Sequence, residues 1–255
     1  MNDQSTPDVV VAGAGPGGSA AAKHCSEGGF STVLIEKKTL PRDKVCTGMI
    51  MGEWAFKLIQ EEFGQIPASI LTAPPELLGH RIYIPGADVH TLEAHTLLTW
   101  RNDLDHWFVK RAKDSGVIVR ENARVVRIAP DRDRIRVDMM HEGKPQTLFP
   151  RFVIGADGAT SVVRKSVFPD LKVPYSGPVR VWFNGKLTLD ENYIHWFFPK
   201  KRPRPRFNIN QKDGVVLLEG AGVKNLSNEI EKTLSPYGFD SSWKPFKKDG
   251  CAIAL

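Results

Sequence analysis

The chain has 255 residues, 41% apolar and 25% charged, which suits a soluble globular protein of one large domain or two small ones. Its formal net charge of +6 is spread along the chain, so it fits an anionic ligand or an anionic membrane surface and does not indicate nucleic acid. Three scattered cysteines (Cys25, Cys46 and Cys251), a start without a secretory pattern and the lack of a long apolar run imply reduced thiols, a cytoplasmic setting and no spanning helix.

The first predicted element is a buried parallel strand at Asp8–Ala12, a short β-branched run. Gly13, Gly15 and Gly18 follow in the GxGxxG spacing, and a small-residue helix runs from about Pro16 to Glu27, ended by Gly28 and Gly29. "STVLIE" is the second strand and closes on Glu36. Gly13 permits the tight strand-to-helix turn, Gly15 lets the backbone approach a pyrophosphate, and Gly18 brings helix and strand together. Pro16 is pre-organised for a first helical turn, whose amides and partial positive charge suit phosphate. Glu36 can accept from both ribose hydroxyls and would repel a 2′-phosphate, so the unit predicts FAD or NAD in preference to NADP. Cys25, late on this helix, reads as a small core residue.

Further along, Leu104, Trp107, Phe108 and Ala112 form one apolar face of a second helix, with Asn102 or Asp103 at its cap and Gly116 at its exit. "GVIVRENARVVRI" carries strand signals, and the segment after it reads as a β-hairpin turning at Glu142–Pro145. Phe152–Ile154 is another short buried strand that delivers Asp157 and Gly158 to a loop, and "ATSVVRKSV" begins a helix. The second half contains "VRVWFNGKLTL", "YIHWFFPK" and "DGVVLLEGAGV", strand-like runs rich in β-branched and aromatic residues. "NEIEKTLSPYGFD" is a short helix ending near Pro236–Gly238. No cysteine or histidine cluster has metal-ligand spacing.

Several stretches resemble known flavoproteins. "GAGPGG", with its proline, is similar to the FAD site of glutathione-reductase-like proteins. Together with "WRNDLDHWF" and "GADGATSVVR", it resembles the geranylgeranyl reductases and FAD-dependent monooxygenases that share the p-hydroxybenzoate hydroxylase fold. The resemblance implies an α/β fold: a Rossmann-like FAD-binding domain, with a parallel sheet and a β-hairpin excursion, over 1–75 and 100–170. An antiparallel substrate sheet would occupy 76–99 and 171–255. It also implies FAD contacts from Gly13, Gly15, Pro16, Gly17, Gly18, Glu36, Lys37, Arg101, Asp157 and Gly158, with adenine near the backbone of Val125 and Val126. Arg164 completes the DGxxSxVR pattern, as a family residue or as a structural ion-pair residue.

Lys44, Cys46 and Gly48 fill the K-x-C-x-G pattern of the geranylgeranyl reductase branch. Arg42 and Lys44 nearby would favour a thiolate, and Gly48 would let the loop approach the flavin ring. The resemblance gives Cys46 a catalytic place beside the flavin and the alkene; the other reading of Cys46 is a small buried hydrophobe. Tyr193, His195, Trp196, Phe198 and Pro199 resemble that branch's YxWxFP element, with Tyr193 one position early, and Gly220 and Gly222 resemble its GxG at a longer spacing. These are the substrate-binding candidates, against the alternative of an ordinary amphipathic sheet. The five cations within Lys200–Arg206 read as a solvated hairpin tip or as a peripheral contact with lipid phosphates.

The implied function is FAD-dependent reduction of carbon–carbon double bonds in an isoprenoid or related lipid, with NAD(P)H or a reduced electron carrier as donor. The alternatives are a hydroxylase-like or halogenase-like monooxygenase of the same fold and a non-catalytic nucleotide- or lipid-binding remnant. The third FAD element of these families, a strand ending in Gly-Asp, has no counterpart; "LLEGAGV" is nearest and lacks the aspartate. Either the chain is part of a longer reductase, or it is a shortened protein that holds flavin weakly or not at all.

Overall fold

The computed structural model describes residues 6–200, 204–220, 226–240 and 242–254. In chain order the first elements are β1 (Val9–Ala12), α1 (Pro16–Glu27), β2 (Thr32–Ile35), β3 (Met49–Met51), α2 (Glu53–Phe63), β4 (Leu71–Tyr83), β5 (His90–Thr99) and α3 (Arg101–Asp114). Next come β6 (Ile118–Arg120), β7 (Ala123–Asp131), β8 (Arg134–His141), β9 (Lys144–Leu148), β10 (Phe152–Gly155) and α4 (Val162–Val167). The last are β11 (Tyr175–Ser176), β12 (Val179–Asn184), β13 (Tyr193–Phe197), β14 (Phe207–Lys212), β15 (Val215–Gly220), α5 (Leu226–Leu234), β16 (Lys247–Gly250) and β17 (Ile253–Ala254). Apart from the extreme C-terminus, the chain divides into two compact units, 1–44 with 102–174 and 45–101 with 175–253.

The first unit is built on a parallel sheet of order β10-β1-β2-β6. The strands β1 and β2 are buried along their whole length, as expected for short apolar strands covered on both faces. Alternation sends Val9, Val11 and Leu34 into a cluster with Ala22 of α1 and Val109 and Ala112 of α3. Val10, Ala12, Val33 and Ile35 face the other way, against Val125, Val137, Met139 and Leu148. Those partners belong to an antiparallel sheet of order β7-β8-β9. The predicted hairpin is the β8–β9 pair, turning at Glu142 and Gly143, both at positive φ.

The second unit is an eight-stranded sheet of order β16-β12-β15-β14-β13-β4-β5-β3. It is antiparallel except for β13 beside β4, which run parallel from Tyr193↔Gly79 to Phe197↔Tyr83. One face carries the main apolar cluster, with Val181, Phe183, Phe207, Ile209, Val216 and Leu218 packed against Ile230 and Leu234 of α5. Residues 45–75, grouped by sequence with the dinucleotide unit, belong here. The reason is β3, whose Met49 and Ile50 pair with Leu98 and Leu97 of β5.

β14 was not among the strands expected from sequence. Its "FNINQK" is poor in typical strand formers, yet all six residues are buried. Phe207 and Ile209 join the apolar cluster. Gln211 shares their face, accepting from the Leu187 amide at 2.7 Å and donating to the Leu189 carbonyl at 2.8 Å. Asn208, Asn210 and Lys212 therefore take the opposite face. A one-residue slip would drive three polar side chains into the apolar cluster, which fixes the register. Among the described residues, no helix is long and apolar enough to cross a membrane.

Candidate functional site

The glycine-rich turn of the first unit is shaped in two different ways. Gly13 (φ +102°) and Gly18 are required by packing. A Cβ on Gly13 would lie 2.4 Å from the Ala156 carbonyl oxygen, and one on Gly18 would lie 1.8 Å from that of Gly13. Gly15 and Gly17 instead border open space: among the described residues, a Cβ on Gly15 would meet only the Arg42 guanidinium at 3.9 Å, and one on Gly17 would meet nothing within 4 Å. Gly15 caps α1 without any side-chain hydrogen bond, and Pro16 opens the helix. The result is a bare helix N-terminus behind an open glycine surface, which fits a pyrophosphate.

Glu36 stands beside this turn, 4% exposed. Its carboxylate accepts from the Ala14 amide at 3.2 Å and the Lys38 amide at 3.1 Å, and pairs with Arg42 Nε at 3.0 Å. An ionised carboxylate has about four acceptor positions, so about one remains for a ribose hydroxyl, not the two expected from sequence. Proximity in sequence suggests that Arg42 favours a Cys46 thiolate. Its guanidinium is instead engaged within the first unit, by Glu36, by Asp105 at 3.0 Å from Nη1, and by the Ala14 carbonyl, which accepts from Nη2 at 3.1 Å. Asp105 is fully buried. This Glu36–Arg42–Asp105 network was invisible in the sequence, because its members are far apart in the chain and only the fold brings them together.

Asp157 turns its carboxylate onto α4. It accepts from Ser161 Oγ and from the Val162 and Val163 amides at 2.6 and 3.3 Å. Ser161 caps the same helix by accepting from the Arg164 amide at 2.9 Å, and Arg164 Nη2 donates to the Ala159 carbonyl at 2.5 Å. Asp157 and Arg164 thus shape the loop, and it is Gly158 (φ +82°) that presents open backbone. Val125 is buried in the core of the same unit, next to a register shift between Val125 and Arg127, and Val126 is exposed. Lys37 and Lys44 are exposed, and Arg101 is half-buried at the start of α3.

In the second unit Cys46 is half-buried, and its sulfur accepts from the Gly48 amide at 3.4 Å. Gly48 has φ +72°, and a Cβ there would lie 1.9 Å from the Thr99 carbonyl oxygen and 2.9 Å from Lys212 Nζ. Packing against the end of β5 is therefore enough to require glycine. The Gly48 carbonyl accepts from the Thr99 amide at 2.8 Å and from Thr99 Oγ1 at 3.3 Å. Lys212 Nζ donates to the carbonyls of Thr47 and Thr99 at 2.6 and 2.7 Å and lies 4.1 Å from the centre of the Trp100 ring. Burial pulls this lysine down to about 7, against smaller opposing effects from the charges of Cys46 and Asp213.

The aromatic strand splits between the two sheet faces. His195, fully buried, faces the apolar cluster: its Nε2 donates to the Asp190 carbonyl at 2.8 Å, so Nδ1 accepts from the Tyr83 hydroxyl at 2.9 Å. Burial lowers its pKa and keeps it neutral. Tyr193 shares that face, with the Arg81 guanidinium 4.3 Å from its ring centre. These two are part of the sheet's own support, which corrects their grouping with Trp196. Trp196 lies on the other face, donating from Nε1 to His80 Nδ1 at 2.9 Å, and it is the cross-strand partner of Asn208. Phe198 is half-buried and its amide donates to Tyr83. Gly220 ends β15, and Gly222 lies outside the described residues. Lys201–Pro203 also lie outside them, and Arg206 pairs with Glu229 of α5.

The Lys212 face holds polar groups that sequence reading missed. Asn210 is fully buried, and neither its amide oxygen nor its nitrogen has a partner among the described residues. The same is true of Asn208 Oδ1 and Trp182 Nε1. By register Asn210, Leu217 and Trp182 are neighbours across three adjacent strands, so these unmet groups form one patch.

Comparison with known proteins agrees with this geometry. The family described as "FAD binding domain" matches residues 6–204. An uncharacterized protein of Methanosarcina barkeri is 29% identical over 90% of this chain and 62% of its own length. A digeranylgeranylglycerophospholipid reductase of Methanosarcina acetivorans is 32% identical over 61% of this chain and 39% of its own length. The chain thus spans less than two thirds of each relative. Among solved structures, a geranylgeranyl bacteriochlorophyll reductase-like protein of Thermoplasma acidophilum has a TM-score of 0.77 at 18% identity, covering 98% of this chain and 66% of that one. A triple mutant of the flavin-dependent brominase Bmp2 has a TM-score of 0.73 at 17% identity, covering 97% and 68%. At these identities the likeness shows the fold.

Proposed function

Because the chain belongs to the FAD binding domain family, we propose that it is an FAD-dependent oxidoreductase that reduces carbon–carbon double bonds of an isoprenoid or related lipid. The observation that carries the FAD assignment is the open surface at Gly15 and Gly17 in front of the uncapped α1 N-terminus, beside a buried Glu36 whose carboxylate is held in place. The α1 amides would meet the pyrophosphate charge, and Glu36 would accept from a ribose hydroxyl. When bound, the flavin supplies the hydride chemistry.

The reductase assignment rests on Lys44, Cys46 and Gly48 and on the likeness to the Methanosarcina acetivorans reductase. In this reading Cys46, on its turn between Val45 and Gly48, orients the alkene or delivers a proton to the carbon that does not receive hydride. NAD(P)H or a reduced carrier is the electron source. A monooxygenase or halogenase is the second reading, since the flavin-dependent brominase variant shares this fold.

The test is anaerobic incubation of the FAD-loaded, chemically reduced protein with a geranylgeranyl-chain lipid. A mass gain of about two units per reduced double bond, lost in Cys46→Ala, is the expected result. Oxygen-dependent hydroxylation or halogenation, with no anaerobic turnover, would replace this reading with the second.

A further inference from the structure

On the face of the second unit's sheet that carries Lys212, the fold leaves three buried polar side chains unmet. β14 sends Asn208 and Asn210 there, 5% and 0% exposed, and β12 sends Trp182, 7% exposed. Among the described residues, Asn208 Oδ1, both polar atoms of the Asn210 amide and Trp182 Nε1 are shielded from water and have no hydrogen-bond partner. Turning the Asn210 amide over changes nothing, since both of its ends are unmet. Native interiors leave few such groups, because each gives up its hydration for no bond in return. Asn208 and Asn210 are two residues apart on one strand, and Leu217 separates Asn210 from Trp182 across the sheet. At the Asn208 end stands its cross-strand partner Trp196, which is half-buried, as is the His80 that accepts from its indole.

The chemistry of the patch selects its occupant. Two acceptors need donors and two donors need acceptors, so the complement is an uncharged group that does both. A hydroxyl does; an ether only accepts, and a phosphate brings negative charge. The cations on this face are already engaged. Arg180 pairs with Glu219, its cross-strand neighbour, Lys247 lies 3.6 Å from Asp249, and Lys212 donates to the Thr47 and Thr99 carbonyls. An anion placed here would meet the repulsion of Glu219 and Asp249.

We propose that Asn208, Asn210 and Trp182 form a subsite for the hydroxyl end of an uncharged isoprenoid lipid, reached from the Trp196 side. The isoprenoid chain is taken from the reading under Proposed function, whereas the polar subsite stands on its own geometry.

The test has two arms, both on the full chain. In the first, without ligand, Asn210→Leu is unfolded with urea at pH 7. An amide held unmet for a ligand is a burden to the empty protein, so its removal should raise the urea midpoint by about 0.5 M or more. Asn210→Val repeats the measurement with a smaller, strand-favouring side chain, so that overpacking by leucine does not decide it. A midpoint lowered in both variants means that the amide is satisfied within the fold, and overturns the proposal. In the second arm, geraniol, geranyl methyl ether and geranyl phosphate are titrated calorimetrically. Geraniol should bind roughly tenfold more tightly than either of the others, and its preference over the ether should vanish in Asn210→Leu. Ether or phosphate binding as tightly as geraniol, or a preference that survives in Asn210→Leu, overturns the proposal. Binding by none of the three overturns the lipid ligand whatever the midpoints show. The urea arm uses neither flavin nor lipid, so it can fail while the reductase reading stands, and the reverse.

Discussion

Arg42→Met should cost the first unit about 3–5 kcal/mol, the usual effect of removing one partner from a buried ion group. The guanidinium is 8% exposed and stands between two carboxylates that are 4% and 0% exposed, Glu36 and Asp105. Methionine fills a similar volume and leaves those carboxylates without the cation between them. It also leaves the Ala14 carbonyl without the guanidinium donor. Against a typical domain stability of about 5–15 kcal/mol, that loss makes the unit marginal. Urea unfolding at pH 7 gives the total, and hydrogen exchange at the β1 and β2 amides assigns it to the first unit. Adding Glu36→Gln to Arg42→Met removes one of the stranded charges, so the double variant should lose less than the sum of the two single losses by about 1 kcal/mol or more. A loss below about 0.5 kcal/mol for Arg42→Met, the range of an ordinary surface change, would refute the reasoning.

Lys212 makes stability depend on pH in a stated direction. Its folded value of about 7 lies below the ordinary 10.5, so between these limits the unfolded chain holds a proton that the folded chain does not. Its contribution therefore rises with pH by about 1.4 kcal/mol per unit across that window and is flat below it; Lys212→Met should abolish the rise, as read from urea midpoints at pH 7 and 9. Gly48→Ala should cost on the order of 2–3 kcal/mol by denaturant unfolding, because strain at φ +72° adds to a collision with the Thr99 carbonyl. Gly143→Ala is the control, with φ +76° and open space, and equal losses at both sites would remove the packing argument. If the 200–206 segment meets lipid phosphates, the chain should sediment with anionic vesicles and be released by salt; equal binding to neutral vesicles would sink that idea.

What could be read from sequence follows from how local each signal is. Val9–Ala12, the three glycines and Glu36 lie within one βαβ unit, so spacing alone placed them. The Glu142–Gly143 turn was equally local. The two faces of β13 were harder: alternation puts Tyr193 and His195 on one side and Trp196 on the other, but five consecutive aromatic or apolar residues hide which side is which. Lys212 was missed for a thermodynamic reason. A lysine near a turn is expected in water, and nothing in "FNINQKDG" announces that Thr47 and Thr99, far away in the chain, will supply its acceptors. The Arg42 network is the same case in the first unit. Residues 45–75 were grouped with the wrong unit because β3 is only three residues long and is defined by its pairing with β5.

The central claim is that the surface at Gly15 and Gly17 receives the dinucleotide of FAD. Its most direct test is titration of the purified chain with FAD, followed by quenching of flavin fluorescence and by filtration to recover bound flavin. Saturable uptake of one FAD per chain, abolished by Gly15→Val, is the result this account predicts. No retained flavin, or uptake unaffected by Gly15→Val, would contradict it.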